Sequence, residues 1–169
     1  MEQMAEVSLV RIDSRLIHGQ VVTMWVKVTE AKKIIIIDDN IAKDPLMTQI
    51  YTMAAPPGVK VETITVDQAV SLWKDDKFGK TGPILVLFSG VPTAYKSYIK
   101  GFDYSKLQVG GIAGGPGRIA VEGTIALNES DAKMLNEMEK KGMEIIFQIT
   151  TDTKIKTWKS IKDKYFKSI

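Results

Sequence analysis

The run Val10-Arg11-Ile12-Asp13-Ser14-Arg15-Leu16-Ile17-His18-Gly19-Gln20-Val21 brings together the chain's only histidine, two arginines and an aspartate. A neutral imidazole is a good nucleophile near neutral pH, because its unperturbed pKa is about 6.5. Attack on an activated phosphoryl group gives a phosphohistidine, an intermediate that splits one transfer into two. The attached group carries about two negative charges and needs cations and N–H donors around it. Arg15, close before His18, offers a planar fork for two phosphate oxygens, and Arg11 offers a second. The amides of Gly19 and Gln20 open a helix-like stretch whose N-terminal dipole favours anions, and Gly19 lets the backbone approach closely. Asp13 is placed to orient either an arginine or the imidazole.

A plainer account uses the same residues. A lone histidine is usually a half-buried polar side chain, with Arg11 and Arg15 as solvated or ion-paired scaffold and Asp13 or Ser14 as a loop cap. A Ser14/His18/Asp13 triad is a rival catalytic arrangement, but three residues of one short loop rarely converge, and no glycine-flanked serine elbow is present. Placement at a strand-to-helix junction favours function, since open α/β folds carry their working groups there. Two classes therefore stay open from the residues: a phosphocarrier using His18, and a non-catalytic α/β module that binds an anion or regulatory partner through the same basic loop.

The elements that must position this loop are legible in the apolar pattern. Strand candidates are Val7–Ile12, Lys33–Asp38, Val59–Ile64, Pro83–Phe88, Leu107–Val109 and Glu144–Ile149. Runs such as Ile34-Ile35-Ile36-Ile37 and Ile84-Leu85-Val86-Leu87-Phe88 do not alternate with polar residues, so both faces are covered, as in a parallel sheet. Helices fall between them. Gly19 to Thr29 follows the histidine, and Asp44 caps a helix with Pro45 at its first position, running to about Ala54. Thr65 caps Val66–Lys74, Pro92 starts Thr93–Ile99, and Asn128 opens Glu129–Lys141, closed by Gly142. Ile155, Trp158, Ile161 and Tyr165 form one stripe of a last helix. Around Glu122-Gly123 the stretch Arg118–Leu127 has the pattern of an antiparallel hairpin. The expected architecture is a single α/β domain over 1–169: an open, mostly parallel sheet, helices on both faces, and an antiparallel hairpin or edge near the C-terminal third. Right-handed βαβ connections align the strand C-termini, including that of the histidine loop, along one sheet edge.

Composition narrows the function classes. The 169 residues suit one ordinary domain, with 44% apolar and 25% charged residues, near the soluble average. A net charge of +3 from 23 basic and 20 acidic side chains gives no reason to expect nucleic acid. Without cysteine there is no disulfide, zinc–thiolate site or cysteine nucleophile. With one histidine and no tight acidic cluster, no metal is expected, and none of this chemistry calls for another cofactor. The acidic N-terminus does not read as a signal peptide, and no apolar run is long enough to span a bilayer, so a cytoplasmic location is expected.

Two glycine motifs fail on inspection. Gly79-Lys80-Thr81 imitates the end of a P-loop, but Lys74 stands where its first glycine is needed and a strand follows. Gly115-x-Gly117-x-x-Ala120 nearly matches a dinucleotide fingerprint, but Pro116 and the β-like residues after it do not open a helix. The run Gly110–Gly117 instead reads as an irregular loop bordering the site. Ser89 ends the fourth strand, placed either to bond a phosphate oxygen or to cap the next helix. Asp38 and Asp39 end the second strand, as caps or site neighbours. Met47, Met53, Trp73 and Trp158 are assigned to the core. The lysines at 154, 156, 159, 162, 164 and 167 make a solvated face, or one attracted to an anionic leaflet or acidic partner.

The histidine run resembles the signature of the IIB components of the mannose/fructose/sorbose family of the bacterial sugar phosphotransferase system. The likeness continues through Trp25, Ile37-Asp38-Asp39, Ala42 with Asp44, Ala55-Pro56-Pro57-Gly58-Val59 and Val109-Gly110-Gly111, and covers essentially the whole chain. It implies a mostly parallel, seven-stranded sheet with helices on both faces. It also implies a protein-N(π)-phosphohistidine–sugar phosphotransferase, with His18 taking the phosphoryl group from a IIA phosphohistidine. His18 then passes it to a sugar bound by the membrane IIC/IID components, at the inner face of the membrane. Arg15, and with it Arg11, match the family's basic residues around that phosphate. No IIA domain is fused within these residues, so a separate IIA donor is expected. A homo-oligomer is compatible with the sequence, and the identity of the sugar is not written in it.

Overall fold

Uninterrupted apolar runs need cover on both faces, and in the folded chain they form the middle of a parallel sheet. The computed structural model describes residues 6–169, apart from the side chains of Gln20 and Val21. The elements run β1 (Glu6–Asp13), α1 (Gly19–Thr29), β2 (Lys33–Ile37), α2 (Asp39–Ala42), α3 (Pro45–Met53), β3 (Lys60–Ile64), α4 (Val66–Asp76) and β4 (Pro83–Phe88). They continue α5 (Val91–Lys100), β5 (Lys106–Gly111), β6 (Ile119–Glu122), β7 (Ile125–Leu127), α6 (Glu129–Lys140), β8 (Glu144–Phe147), β9 (Lys156–Thr157) and α7 (Trp158–Tyr165). Seven strands pair in the order β3-β2-β4-β1-β5-β8-β9. All pairings are parallel except β8 with β9. Strands β6 and β7 form the expected antiparallel hairpin, turning at Gly123.

From β1 the chain moves one way across the sheet to β2 and β3, then returns to β4 and crosses to β5 and β8. Right-handed connections therefore place α1 to α3 on one face and α4 to α6 on the other. The period-2 alternation of the strands sorts the core accordingly. Ile34 and Ile36 pack with Leu85, Leu87, Val22 and Trp25 beneath α1. Ile35 and Ile37 pack with Val86, Phe88, Val66 and Ala94 on the opposite side. At their carboxyl ends, adjacent strands β1 and β5 send the chain in opposite directions. That is the crevice where open α/β sheets hold their ligands.

Several expectations need correction. The last helix begins at Trp158, not at Ile155, because Lys156 and Thr157 pair with β8 and Thr157 caps the helix. Ile155 is thus exposed outside the buried pair Trp158 and Ile161. Asp38 and Asp39 introduce a short helix, α2, that apolar periodicity could not reveal in so few residues. Helix α3 buries none of its residues, and Met53 stands exposed rather than in the core. In the lysine-rich segment, Lys156 pairs with Glu122 and Lys159 with Asp163. Among the described residues no helix is long and apolar enough to cross a membrane.

Candidate active site

Strand alternation decides which groups meet. Val10 and Ile12 point into the core shared with α4 to α6, so Arg11 and Asp13 point together to the α1 face. There the Arg11 guanidinium lies 5.0 Å from the centre of the Trp25 ring, a residue of α1. Both charged side chains are buried, Arg11 to 2% exposure and Asp13 to 3%.

Beyond Asp13 the chain turns sharply. The amide of Leu16 donates to the carbonyl of Asp13 at 2.9 Å, and the amide of Arg15 donates to Asp13 Oδ1 at 3.1 Å. An aspartate holding the amide two residues on is an Asx-turn, which lets a non-glycine chain reverse direction. Leu16 adopts a left-handed φ of 56°, and its side chain together with that of Ile17 is buried beneath the loop. Burial of two apolar side chains contributes a few kcal/mol, enough to hold a backbone strained by about 1–3 kcal/mol. His18 follows in extended conformation as the cap of α1, and Gly19 takes φ 45°, a region that favours glycine.

The turn folds His18 back onto its own strand. His18 Nε2 lies 3.0 Å from Asp13 Oδ2, with the imidazole 18% exposed. Asp13 thereby becomes a hub, holding the imidazole, the Arg15 amide and, at 3.6 Å, Arg11 Nη2. A carboxylate only accepts hydrogen bonds, so the neutral imidazole facing it carries its proton on Nε2. Nδ1, with its lone pair, is left free. Burial pulls the Arg11 guanidinium down to about 10, against the opposing attraction of Asp13.

The loop after β5 closes the other side. Ser14 N donates to Gly111 O at 2.9 Å, and Ser14 Oγ accepts from Ala113 N at 3.2 Å. The glycine-rich run therefore borders the histidine loop through its first residues. With its hydroxyl oxygen turned to that loop, Ser14 holds the loops together.

Of the residues singled out from sequence, His18, Asp13 and Arg11 are joined in one contact chain. Arg15 sends its backbone to Asp13 and its side chain into solvent. Gly19 is exposed at the opening of α1, and Gln20 lies in its first turn. Arg11 turns inward to Gln108, the carbonyls of Gln148 and Ile149, and Asp13, away from solvent. The Ser89 hydroxyl donates to Asp38 Oδ2 at 2.9 Å, and Gly90, not Ser89, caps α5. Asp38 caps α2 through Ile41 N, and Asp39 holds Val66 N and Lys96. Both aspartates thus fasten loops. Sequence reasoning missed Gln108 and Gln148, although a glutamine between Leu107 and Val109 in an apolar strand is a visible signal of a buried polar partner; Gly110 and Gly111, read as the start of an irregular loop bordering the site, end strand β5 instead.

A mostly parallel sheet with an imidazole held at its central crevice places this chain in the doubly wound α/β class, and comparison with known proteins gives its family. Residues 7–168 match the family model described as the PTS system sorbose subfamily IIB component. The chain is 31% identical over 144 residues to the sorbose-specific EIIB component of Klebsiella pneumoniae, covering 85% of this chain and 87% of that protein. It is equally identical over 152 residues to the mannose-specific EIIAB component of Escherichia coli K12, covering 89% of this chain and 46% of that longer protein. The crystal structure of manxB from Thermoanaerobacter tengcongensis superposes with a TM-score of 0.89 at 36% identity, covering 96% of this chain and 98% of the other. The chain belongs to the sorbose-subfamily IIB components of the phosphotransferase system, and acts in sugar phosphotransfer.

Proposed function

We propose that this single domain is a phosphocarrier in which His18 takes a phosphoryl group on Nδ1 and passes it to a sugar. The observation that carries the reading is the 3.0 Å contact between His18 Nε2 and Asp13 Oδ2. It leaves one nitrogen with a lone pair, on a side chain that solvent can reach.

In the first step the Nδ1 lone pair attacks the phosphorus of a donor phosphohistidine on a separate IIA protein. The donor's N–P bond breaks, and its electron pair returns to the donor imidazole. His18, now bonded at Nδ1 and protonated at Nε2, is cationic, and Asp13 balances that charge. In the second step a sugar hydroxyl held by the membrane IIC/IID components attacks phosphorus. The Nδ1–P bond breaks, its electrons return to His18, and the hydroxyl proton leaves to a base on that partner. Protein–N(π)-phosphohistidine–sugar phosphotransferase is the activity that results, exercised at the inner face of the membrane.

Phosphoryl transfer asks a protein mostly for positioning and charge stabilisation. Here the exposed Arg15 guanidinium supplies the fork to the phosphate oxygens, and the amides opening α1 at Gly19 and Gln20 supply neutral donors. No step needs a metal.

The test uses the single histidine. Incubation with phosphorylated IIA should add one acid-labile, base-stable phosphate, and His18→Ala should accept none. Proton-coupled nitrogen spectra of the product should place phosphorus on Nδ1. Stoichiometric labelling of His18→Ala, or rapid sugar phosphate formation by this chain without IIC/IID membranes, refutes the carrier reading.

A further inference from the structure

Arg11 is the most enclosed cation of the site, and its partners lie on the protein side. We infer that Arg11 is a positioning residue that keeps Asp13 in place from behind, and that Gln108 and Gly110 hold Arg11 there. The inference deepens the phosphocarrier reading and rests on it for its functional consequence.

Three observations carry it. First, the guanidinium is committed. Nη1 donates to Gln108 Oε1 and to the carbonyl of Gln148 at 3.0 Å, and Nη2 donates to the carbonyl of Ile149 at 2.9 Å while lying 3.6 Å from Asp13 Oδ2. A phosphate on His18 would have to draw Arg11 off these buried acceptors, leaving carbonyls without partners away from water.

Second, Gln108 is oriented, not merely adjacent. It faces Arg11 in the register of β1 with β5 and is 2% exposed. Its Nε2 donates to Gln148 Oε1 at 3.2 Å, which fixes the amide so that its oxygen meets the guanidinium. The reverse orientation would set two donors against each other.

Third, Gly110 makes the room. A Cβ there would lie 1.9 Å from Arg11 Cζ. Its backbone is outside the left-handed region, so space and not conformation demands the glycine. Neighbouring Gly111 is less crowded: a Cβ there would lie 3.3 Å from Asp13 Oδ1, a tight contact but not an overlap.

With Arg11 fixed behind it, the Asp13 carboxylate stays aimed at Nε2 throughout the transfer cycle. A loosened Arg11 frees the carboxylate to rotate, and the proton on the imidazole no longer has one preferred nitrogen.

The single histidine makes the test direct, because ¹⁵N-histidine labelling yields one ring. In the unphosphorylated wild-type protein, its nitrogen shifts should report the Nε2–H tautomer. Gln108→Met and Gly110→Ala should move them toward a mixture of tautomers. Both should slow phosphate uptake from IIA about tenfold or more without raising the donor concentration for half-saturation, since misplacement and not docking is at fault. Gly114→Ala, where nothing lies within 4 Å of the added carbon, should leave the ring signals unchanged. Arg15→Ala should slow uptake while keeping the wild-type ring signals, because only its backbone touches Asp13. Wild-type ring signals in folded Gln108→Met would overturn the inference.

Should the variants fail to fold, the wild-type protein decides alone. The Arg11 guanidinium signals should keep their protection when His18 is phosphorylated. Coupling between them and ³¹P would make Arg11 a phosphate ligand and sink the proposal. The tautomer readout needs no donor, so failure of phosphate uptake in the wild type would refute the carrier reading without touching this one.

Discussion

Replacing Asp13 by asparagine keeps the shape of the hub and changes only what one atom can do. Asp13 Oδ1 receives the Arg15 amide and Oδ2 faces His18 Nε2. In Asp13→Asn the carbonyl oxygen takes one of these places and the NH₂ group the other. If the oxygen stays with Arg15, the amide donates to Nε2, and the proton moves to Nδ1, the nitrogen that must attack. If the amide flips, the Arg15 amide faces a donor and loses a bond of about 1 kcal/mol. Either way the charge-assisted bond to the imidazole, about 1.5–3 kcal/mol, is gone just when His18 becomes cationic. That common loss puts about 1.5–3 kcal/mol into the barrier, or roughly 10–10²-fold in rate. An aspartate-to-asparagine change behind a catalytic histidine costs about 10⁴-fold in serine proteases through the same tautomer reversal. The assay is single-turnover phosphate uptake from phosphorylated IIA, with ring-nitrogen shifts recorded on the same samples. A folded Asp13→Asn protein that accepts phosphate within threefold of the wild-type rate would refute the argument that Asp13 selects Nδ1.

Arg15→Ala should slow uptake ten- to a hundredfold, the loss of a charge-assisted fork of about 1.5–3 kcal/mol, and Arg15→Lys should recover only part of it. Thermal unfolding should be unchanged in both, since the side chain is exposed. Arg118→Met should lower stability by about 2–3 kcal/mol, because the Asp131 carboxylate, 2% exposed, loses its 2.7 Å partner. That is a fall in Tm of about 5–10 °C with the His18 ring signals unmoved. Asp39 is held below the usual carboxylate range by hydrogen bonds from Lys96 and the Val66 amide. A depressed carboxylate contributes stability above its unfolded value of 3.8 and loses it as pH falls through the folded value. Asp39→Asn should therefore unfold at lower urea than wild type at pH 7, and the difference should shrink toward pH 3.

The sheet was readable because its strands are long in apolar residues and bounded by glycine, proline and capping side chains. The run at 34–37 needed cover on both faces, and the caps at Asp44, Thr65 and Asn128 lie where their helices begin. Periodicity failed at short elements. Two residues of β9 carry no pattern of their own, and an i, i+3 stripe continued through Ile155 only because the pairing with β8 is invisible in sequence. In the site, residues close in sequence were legible and their directions were not. Arg11 and Asp13 are two apart on a strand, which places them on one face. The inward turn of Arg11 was not legible, because its partners come from β5 and from the turn after β8, far along the chain. Gln108 and Gln148 could be linked to Arg11 only once the strand order was known.

The same long-range assembly bears on how a carrier can both hold and release its cargo. A buried guanidinium gripping phosphate directly would add a desolvated ion pair, an interaction costly to break, and would favour a trapped intermediate. A solvent-facing pair is weaker than a desolvated one and is readily replaced by a partner's own groups. In the proposed arrangement the buried cation serves Asp13, and the solvent-facing Arg15 and helix amides serve the phosphate. Orientation of the nucleophile is then permanent, while affinity for the phosphoryl group stays moderate. Transfer in either direction is left to whichever protein docks against the loop. Moving the buried charge onto the phosphate, as loss of Gln108 or filling of Gly110 would tend to do, should slow release as well as uptake. That pairing of defects distinguishes a positioning residue from a simple phosphate ligand, whose loss would hasten release.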